Sequence, residues 1–305
     1  MQAALFATVS IAWGLTWYAI RLQLGATPET VSVFWRFLLS ATCIWLIALA
    51  SGKMRAARPQ QHLWFAAMGL TLFSANFLLM YAAEQDIPSG FVSVVFSMAT
   101  VFNALNQWLF LRLRPGPRIL VGALLGVCGV ALLFADQIAA PGGAHFVRGV
   151  ALALAGTFSF SLGNLASRRA TADGTSLLNA IARGMTWGVL FLAVAVLAGR
   201  HGFAVPTSAS YLGGLAYLVV FGSVIGFFAY LSLVARVGPA RAAYSTVISP
   251  VIALAVSSLL EGYVWKVPAL LGVALVLSGN IVIFTRIGGG LCAKFRLARV
   301  GGEDS

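Results

Sequence analysis

Ten long apolar runs, separated by short polar breaks, constrain this chain more than any other feature. They fall at about 3–20, 31–50, 63–83, 89–111, 117–135, 147–166, 176–198, 210–234, 240–260 and 267–285. About 20 mainly apolar residues cross a bilayer as a helix, so each run is a candidate span. A soluble core cannot absorb ten of them, because only 9% of the residues are charged and 60% are hydrophobic, against about 25% charged in soluble domains. The first run lacks the basic start of a secretory signal, and Trp13 and Trp17 make a poor signal core, so it reads as a retained helix.

The basic residues give an orientation. One alternating set of loops holds Lys53, Arg55, Arg58, Arg112, Arg114, Arg118, Arg168, Arg169, Arg236, Arg241, Arg286, Lys294, Arg296 and Arg299; the opposite set holds only Arg21, Arg148, Arg200 and Lys266. The basic-rich side is cytoplasmic by the positive-inside rule. Both termini are then expected in the cytoplasm of a bacterial cell, and the chain in its inner membrane. The net charge of +12 serves topology and lipid contact and gives no reason to expect nucleic acid.

The chain reads as two related halves. "SGFVSVVFSMATVFNALNQWLFLRLRPGPRILVGALLGVCGVALLF" and "PARAAYSTVISPVIALAVSSLLEGYVWKVPALLGVALVLSGNIVIF" align at an offset of 150, matching Gly122 with Gly272 and Gly129 with Gly279. "TVSIAWGLTW" at 8–17 resembles "TFSFSLGNLA" at 157–166, and Arg36 and Arg183 fall early in the second span of each half. Five spans per half is odd, so the second half enters the membrane inverted, a design suited to alternating access. The expected fold is an all-α integral membrane protein of ten transmembrane helices, two inverted five-helix repeats around a central cavity. The units are 1–137, a linker at 138–146, 147–286 and a cytoplasmic tail at 287–305.

Polar residues deep in hydrocarbon face protein or a cavity. Candidates for a central site are Trp13 and Trp17, four residues apart on one helix face; Asn76 and Tyr81; Thr100, Asn103 and Gln107; Asn164; and Tyr244, Ser245 and Ser249. Ser93, Ser97, Asn106, Ser159, Ser161 and Thr246 accompany them. Pro250 removes a helical amide and is a candidate kink or gate. Asn103, Asn106 and Gln107 are equally readable as bonds between helices. Arg36 and Arg183 read as structural cations that snorkel to an interface, with attraction of a substrate carboxylate as the alternative for either. No acidic residue falls near the midplane, and Glu84 and Glu261 sit at outer helix ends, so no carboxylate is in the obvious place for a coupling ion. Cys43, Cys128 and Cys292 read as small packing residues, and His62, His145 and His201 have no metal-ligand spacing. Nothing resembles a nucleotide loop or a hydrolase motif. The expectation is a non-enzyme with no cofactor or metal.

"AWG" at 12–14, Pro28 with "FWRF" at 34–37, and the duplicated glycine-spaced closing helices together resemble the drug/metabolite transporter superfamily in its ten-helix EamA-type branch. Within it the chain looks most like bacterial exporters of aromatic and other neutral amino acids. The resemblance implies a cavity lined by spans one, three, four, six, eight and nine, with five and ten peripheral, and it draws in Tyr217 and Tyr230. The first half departs from the pattern, with Arg112 and Arg114 where an acid is common; the second keeps Glu261. The implied partners are a small-molecule substrate, amino acids above all, and membrane lipid. Another metabolite or a hydrophobic drug is the alternative cargo. A monomer suffices to enclose a pathway, and a dimer stays open.

Overall fold

The computed structural model describes residues 2–52, 54, 56–138, 143–237, 245–262 and 265–284. Among them are ten helical rods: α1 Gln2–Arg21, α2 Glu29–Ala50, α3 Gln61–Asp86, α4 Ser89–Leu111, α5 Pro117–Ile138, α6 Gly143–Ala170, α7 Leu177–Ala198, α8 at 209–237, α9 Ser245–Leu260 and α10 Val267–Phe284. Seven of these (α1–α4 and α6–α8) are long and apolar enough to cross a membrane by length and composition; the apolar stretches Pro117–Leu133, Ile248–Leu260 and Val267–Ile283 are shorter. Tyr244, the basic residues of the tail and Cys292 lie outside the described residues.

The helix ends follow local chemistry. Pro28 and Pro88 precede the first turns of α2 and α4, where a missing amide costs nothing. Ser176 and Ser208 accept from the backbone amides of Asn179 and Tyr211, satisfying donors that a helix start otherwise leaves open. The outward faces stay oily: Leu46, Leu124, Val194 and Leu259 are all exposed. Such a large apolar surface suits lipid rather than water.

Packing is pseudo-symmetric. α1 lies against α8 and α9, and α6 lies against α3 and α4; α2 packs on α7 and α8, and α7 packs on α2 and α3; α4 meets α9, and α5 meets α10. Exchanging the two halves leaves this pattern unchanged. The α5–α10 crossing shows the sense of the symmetry. A Cβ on Gly122 would lie 2.6 Å from the Gly279 carbonyl oxygen, one on Gly279 2.6 Å from that of Gly122, and Gly129 and Gly272 have the same reciprocal relation at 2.6 Å. The glycines that align in sequence are therefore exchanged in space, and the two helices run antiparallel. This is an isologous contact inside one chain, with an inverted-repeat-like arrangement.

The helices α3 and α8 carry matching irregularities. Each contains a wide-turn π segment, Thr71–Ala75 in α3 and Leu218–Ile225 in α8. π turns inside α-helices are frequent at functional sites. Ser74 Oγ donates to the Gly69 and Gly188 carbonyls at 2.9 and 3.1 Å. Ser159 Oγ of α6 donates to the Thr71 carbonyl at 2.8 Å. In α8 the Gly222 carbonyl accepts from Trp13 Nε1 at 3.3 Å.

One end of the bundle gathers Arg21, Glu84, Asp86, Ser89, Arg148 and Glu261. Arg21 Nη1 donates to the Glu84 carbonyl at 2.6 Å, Arg148 Nε to Asp86 at 2.7 Å, and Ser89 Oγ to Glu261. The other end gathers Gln61, His62, Asp173, Thr175 and Trp187 through Gln61 donating to Asp173 and to Thr175, and Trp187 Nε1 donating to His62 Nδ1 at 3.3 Å. Cys43 is half-buried and Cys128 is exposed, so only the first fits the packing role expected of both.

Candidate substrate cavity

Between the half-bundles lies a cavity lined by Trp13, Thr16 and Trp17 of α1, Arg36 of α2, Asn76, Phe77 and Met80 of α3, Phe96 of α4, Phe160 of α6, and Gly222 and Phe227 of α8. The α1 residues are spaced 13, 16, 17, and those of α3 are 76, 77, 80. Each set is one face of a helix. The rings pack edge to face: Trp17 on Phe96 at 5.2 Å, Phe96 on Phe160 at 4.7 Å, Trp13 on Phe227 at 5.5 Å. Tyr230 tilts onto Trp13 from behind at 4.8 Å. Such pairs are favoured by the ring quadrupoles.

The polar part of the wall is small. Thr16 Oγ1 is spent on the Ala12 carbonyl at 2.8 Å. Arg36 is 1% exposed, donates from Nε to Ser223 Oγ at 3.0 Å, and stacks over Phe77 with its guanidinium carbon 4.3 Å from the ring centre. Its Nη1 has no hydrogen-bond partner among the described residues, nor has Asn76 Oδ1. Arg36 Nη1 and Asn76 Oδ1 thus belong to side chains that border the same small space, each atom without a hydrogen-bond partner among the described residues. Arg36 does not snorkel to an interface, contrary to the expectation from its sequence position. Its π face on Phe77 and its bond to Ser223 hold it in the cavity wall.

The cavity volume is about 30 Å³, room for about one water molecule, whereas ligand pockets usually measure about 300–1,000 Å³. The walls are closed on each other in this conformation. A much larger recess, about 710 Å³, opens at the Asp173 end beside Arg58, Gln61, Asn179 and Arg183. Arg183 therefore lines a recess near its own end while Arg36, its counterpart in the first half, is sealed inside.

The structure brings Trp13, Trp17 and Asn76 together in the cavity and distributes the other sequence candidates elsewhere. Tyr81 is buried one turn beyond Phe77 and donates to Gln23 Oε1 at 2.7 Å. Asn103, Asn106, Ser161 and Asn164 form a knot between α4 and α6: Asn106 donates to Ser161 at 2.8 Å, and Ser161 and Asn164 donate to Asn103 Oδ1 at 2.9 and 3.3 Å. These are helix-to-helix bonds, the alternative stated for Asn103 and Asn106 above. Thr100 is buried and does not line the cavity. Gln107 is only half-buried and does not line the cavity; it lies in the second segment of α4, after the break at 97–98. Ser245 and Ser249 are buried on α9, and the Ser249 carbonyl lies 3.3 Å from where a Gly14 Cβ would stand. Pro250 is carried inside α9, which continues through it. α9 thus backs the first helix, and α2 takes the lining role expected of α9.

Sequence reasoning missed Phe77, Met80, Phe96, Phe160 and Phe227. They are ordinary apolar residues in apolar helices, with no polar signal to mark them. Thr16 was missed as well, although its i+3 spacing from Trp13 puts it on the same helix face. Glu84 lies near the end of α3, but it is also 0% exposed, a burial that position along the chain does not reveal.

The model of the EamA-like transporter family matches residues 1–135 and again 147–285. The chain belongs to the EamA-like transporter family. It is therefore a polytopic membrane transporter and not an enzyme. Among its relatives, the "Uncharacterized inner membrane transporter YedA" of Escherichia coli (strain K12) is 29% identical over 85% of this chain and 82% of that one. The "Probable terminal-alkyne amino-acid exporter" of Streptantibioticus cattleyicolor is 28% identical, with 93% of each chain covered. The "Probable amino-acid metabolite efflux pump" of Escherichia coli (strain K12) is 26% identical over 89% of this chain and 90% of that one. A solved crystal structure, 19% identical, superposes with a TM-score of 0.66 over 93% of this chain and 97% of that one, a likeness of fold alone.

Proposed function

We propose that this transporter exports neutral amino acids, mainly those with aromatic or large hydrophobic side chains, from the cytoplasm by alternating access. The carrying observation is the cavity: six aromatic rings (Trp13, Trp17, Phe77, Phe96, Phe160, Phe227) with one polar corner at Arg36 and Asn76. A hydrophobic amino acid needs that division. Its side chain enters the aromatic box, its carboxylate pairs with Arg36 Nη1, and its ammonium donates to Asn76 Oδ1. Two of the relatives carry names of amino-acid or amino-acid-metabolite exporters, which supports the cargo class.

The setting in this proposal is the inner membrane, as the name of the first relative has it, with ten crossings, both termini cytoplasmic by the charge rule, and 1–137 and 147–286 as the two repeats. The Asp173 end is then cytoplasmic and the Arg21 end outside. The closed cavity is an occluded form, and the rings must part by several ångströms to admit cargo. Tyr81, Thr100, Gln107 and Ser245 join the pathway only in other conformations.

Counterflow in proteoliposomes tests the proposal. Vesicles loaded with mixed amino acids should accumulate trace labelled Phe, Trp or Met, and Asn76→Ala should lower that flux while the protein stays folded. Absence of uptake for every amino acid, with folded protein in the vesicles, overturns the cargo assignment in favour of another metabolite or a hydrophobic drug, which a competition panel would then identify.

A further inference from the structure

Glu84 ends the same face of α3 that lines the cavity. Asn76, Met80 and Glu84 are spaced by four, so the carboxylate stands one turn beyond the cavity toward the Arg21 end. It is 0% exposed, and neither carboxylate oxygen has a hydrogen-bond partner among the described residues. Its neighbours are better provided. Asp86 accepts from Arg148 Nε at 2.7 Å and faces His145 Nδ1 at 3.8 Å. Glu261 accepts from Ser89, and from Ser257 Oγ at 3.0 Å.

The charged groups that face Glu84 come from several elements. α1 brings Arg21, but that guanidinium donates to the Glu84 backbone carbonyl at 2.6 Å. α2 brings Arg36, committed through Nε to Ser223. The end of α9 brings Glu261, a like charge. α3 itself adds Tyr81, whose hydroxyl donates to Gln23, and α6 adds Arg148 and His145, both turned to Asp86. An ionised carboxylate buried without donors is among the costliest groups a protein can hold, whereas its neutral acid is far cheaper.

We propose that Glu84 is a proton-binding site, protonated in this conformation, and that its proton keeps the Arg21 end of the cavity closed. Opening that end hydrates the carboxylate and lets it ionise, so proton release and opening are linked. The sign follows. Rising pH at this end favours the open form, and acid favours the closed one. The site belongs to the gate and not to the cargo, so it stands whatever the substrate proves to be.

The test needs no substrate. Purified protein in lipid is titrated from acid to alkaline pH and followed by infrared spectroscopy and by hydrogen exchange over residues 77–92, corrected for the intrinsic pH dependence of exchange. The wild type should show a protonated-carboxyl band that disappears as pH rises, together with at least a several-fold faster opening of that segment. Glu84→Gln should lack the band and open at the slow rate throughout, and Glu261→Gln should keep the band. If Glu84→Gln does not fold, Glu84→Asp supplies the assignment by shifting the band. A wild type without the band, a band retained in Glu84→Gln, or opening that is flat with pH overturns the proposal.

Discussion

Gly129 and Gly272 lie face to face across the α5–α10 crossing: a Cβ on either would sit 2.6 Å from the carbonyl oxygen of the other. Gly122 and Gly279 repeat the relation. Alanine at any of the four must push backbone from backbone, at a cost of about 1–3 kcal/mol. The expected result is a similar loss of thermal stability for all four single variants. Pairs such as Gly129→Ala with Gly272→Ala should fall short of additivity, since one separation relieves both clashes. Melting in detergent reads this; unequal members of a pair would break the reciprocity.

The π segment of α8 holds Trp13 in place. Gly226 has no room for a side chain, because a Cβ there would lie 2.6 Å from Trp13 Nε1. Gly226→Ala should therefore displace the indole from the Gly222 carbonyl and into the cavity. We expect transport to fall at least several-fold with a smaller loss of stability, read as counterflow beside melting on the same preparation.

Arg36 carries the carboxylate in the proposed cargo pose. Hydrogen bonds to charged groups contribute about 1.5–3 kcal/mol, so Arg36→Met should weaken a hydrophobic amino acid about 10- to 100-fold. The decarboxylated amine of the same side chain should be nearly indifferent to the substitution. Equal losses for both ligands, measured by tryptophan-quench titration, would leave Arg36 a merely structural cation.

The asparagine knot predicts the opposite split. Asn106→Ala removes a 2.8 Å bond to Ser161 and leaves the cavity wall intact. Stability should drop by about 0.6–2 kcal/mol, while the affinity for cargo stays within a factor of two or so.

Acid should loosen the loop between α6 and α7. The Gln61 side chain, with Thr175 behind it, donates to Asp173 and holds its carboxyl below the ordinary range. The folded value is depressed, so the added stability is fully present above about pH 4, the ordinary aspartate value, and is lost as pH falls through the lower folded value. Hydrogen exchange at 171–176 should be flat at neutral pH and quicken in strong acid, and Asp173→Asn should remove that acid step.

Much of the architecture was legible because membrane helices announce themselves by length and apolarity, and because duplicated glycines kept their spacing. Gly122, Gly129, Gly272 and Gly279 carried the repeat in sequence and carry the α5–α10 contact in space. The site was legible only in part. Trp13, Trp17 and Asn76 stood out against their helices and do meet. Gln107 lies away from the cavity, and nothing in "VFSMATVF" declares the break at 97–98 in α4. Arg36 misled because depth along a helix says where a side chain starts, not which neighbour it lies on; Phe77 and Ser223 decide that. Phe96, Phe160 and Phe227 were invisible, since a ring that lines a cavity and a ring that fills a core are the same residue.

The reciprocal glycine contacts also speak to descent. If Gly122 and Gly272 descend from one ancestral position and Gly129 and Gly279 from another, a single five-helix gene product would have supplied both contacts at once. Two copies of it, inserted in opposite senses, would have met along the same seam without a new mutation. The fused chain then needed only to keep what the pair already had, and the two halves became free to specialise, one sealing its arginine inside the wall and the other leaving its arginine at a recess.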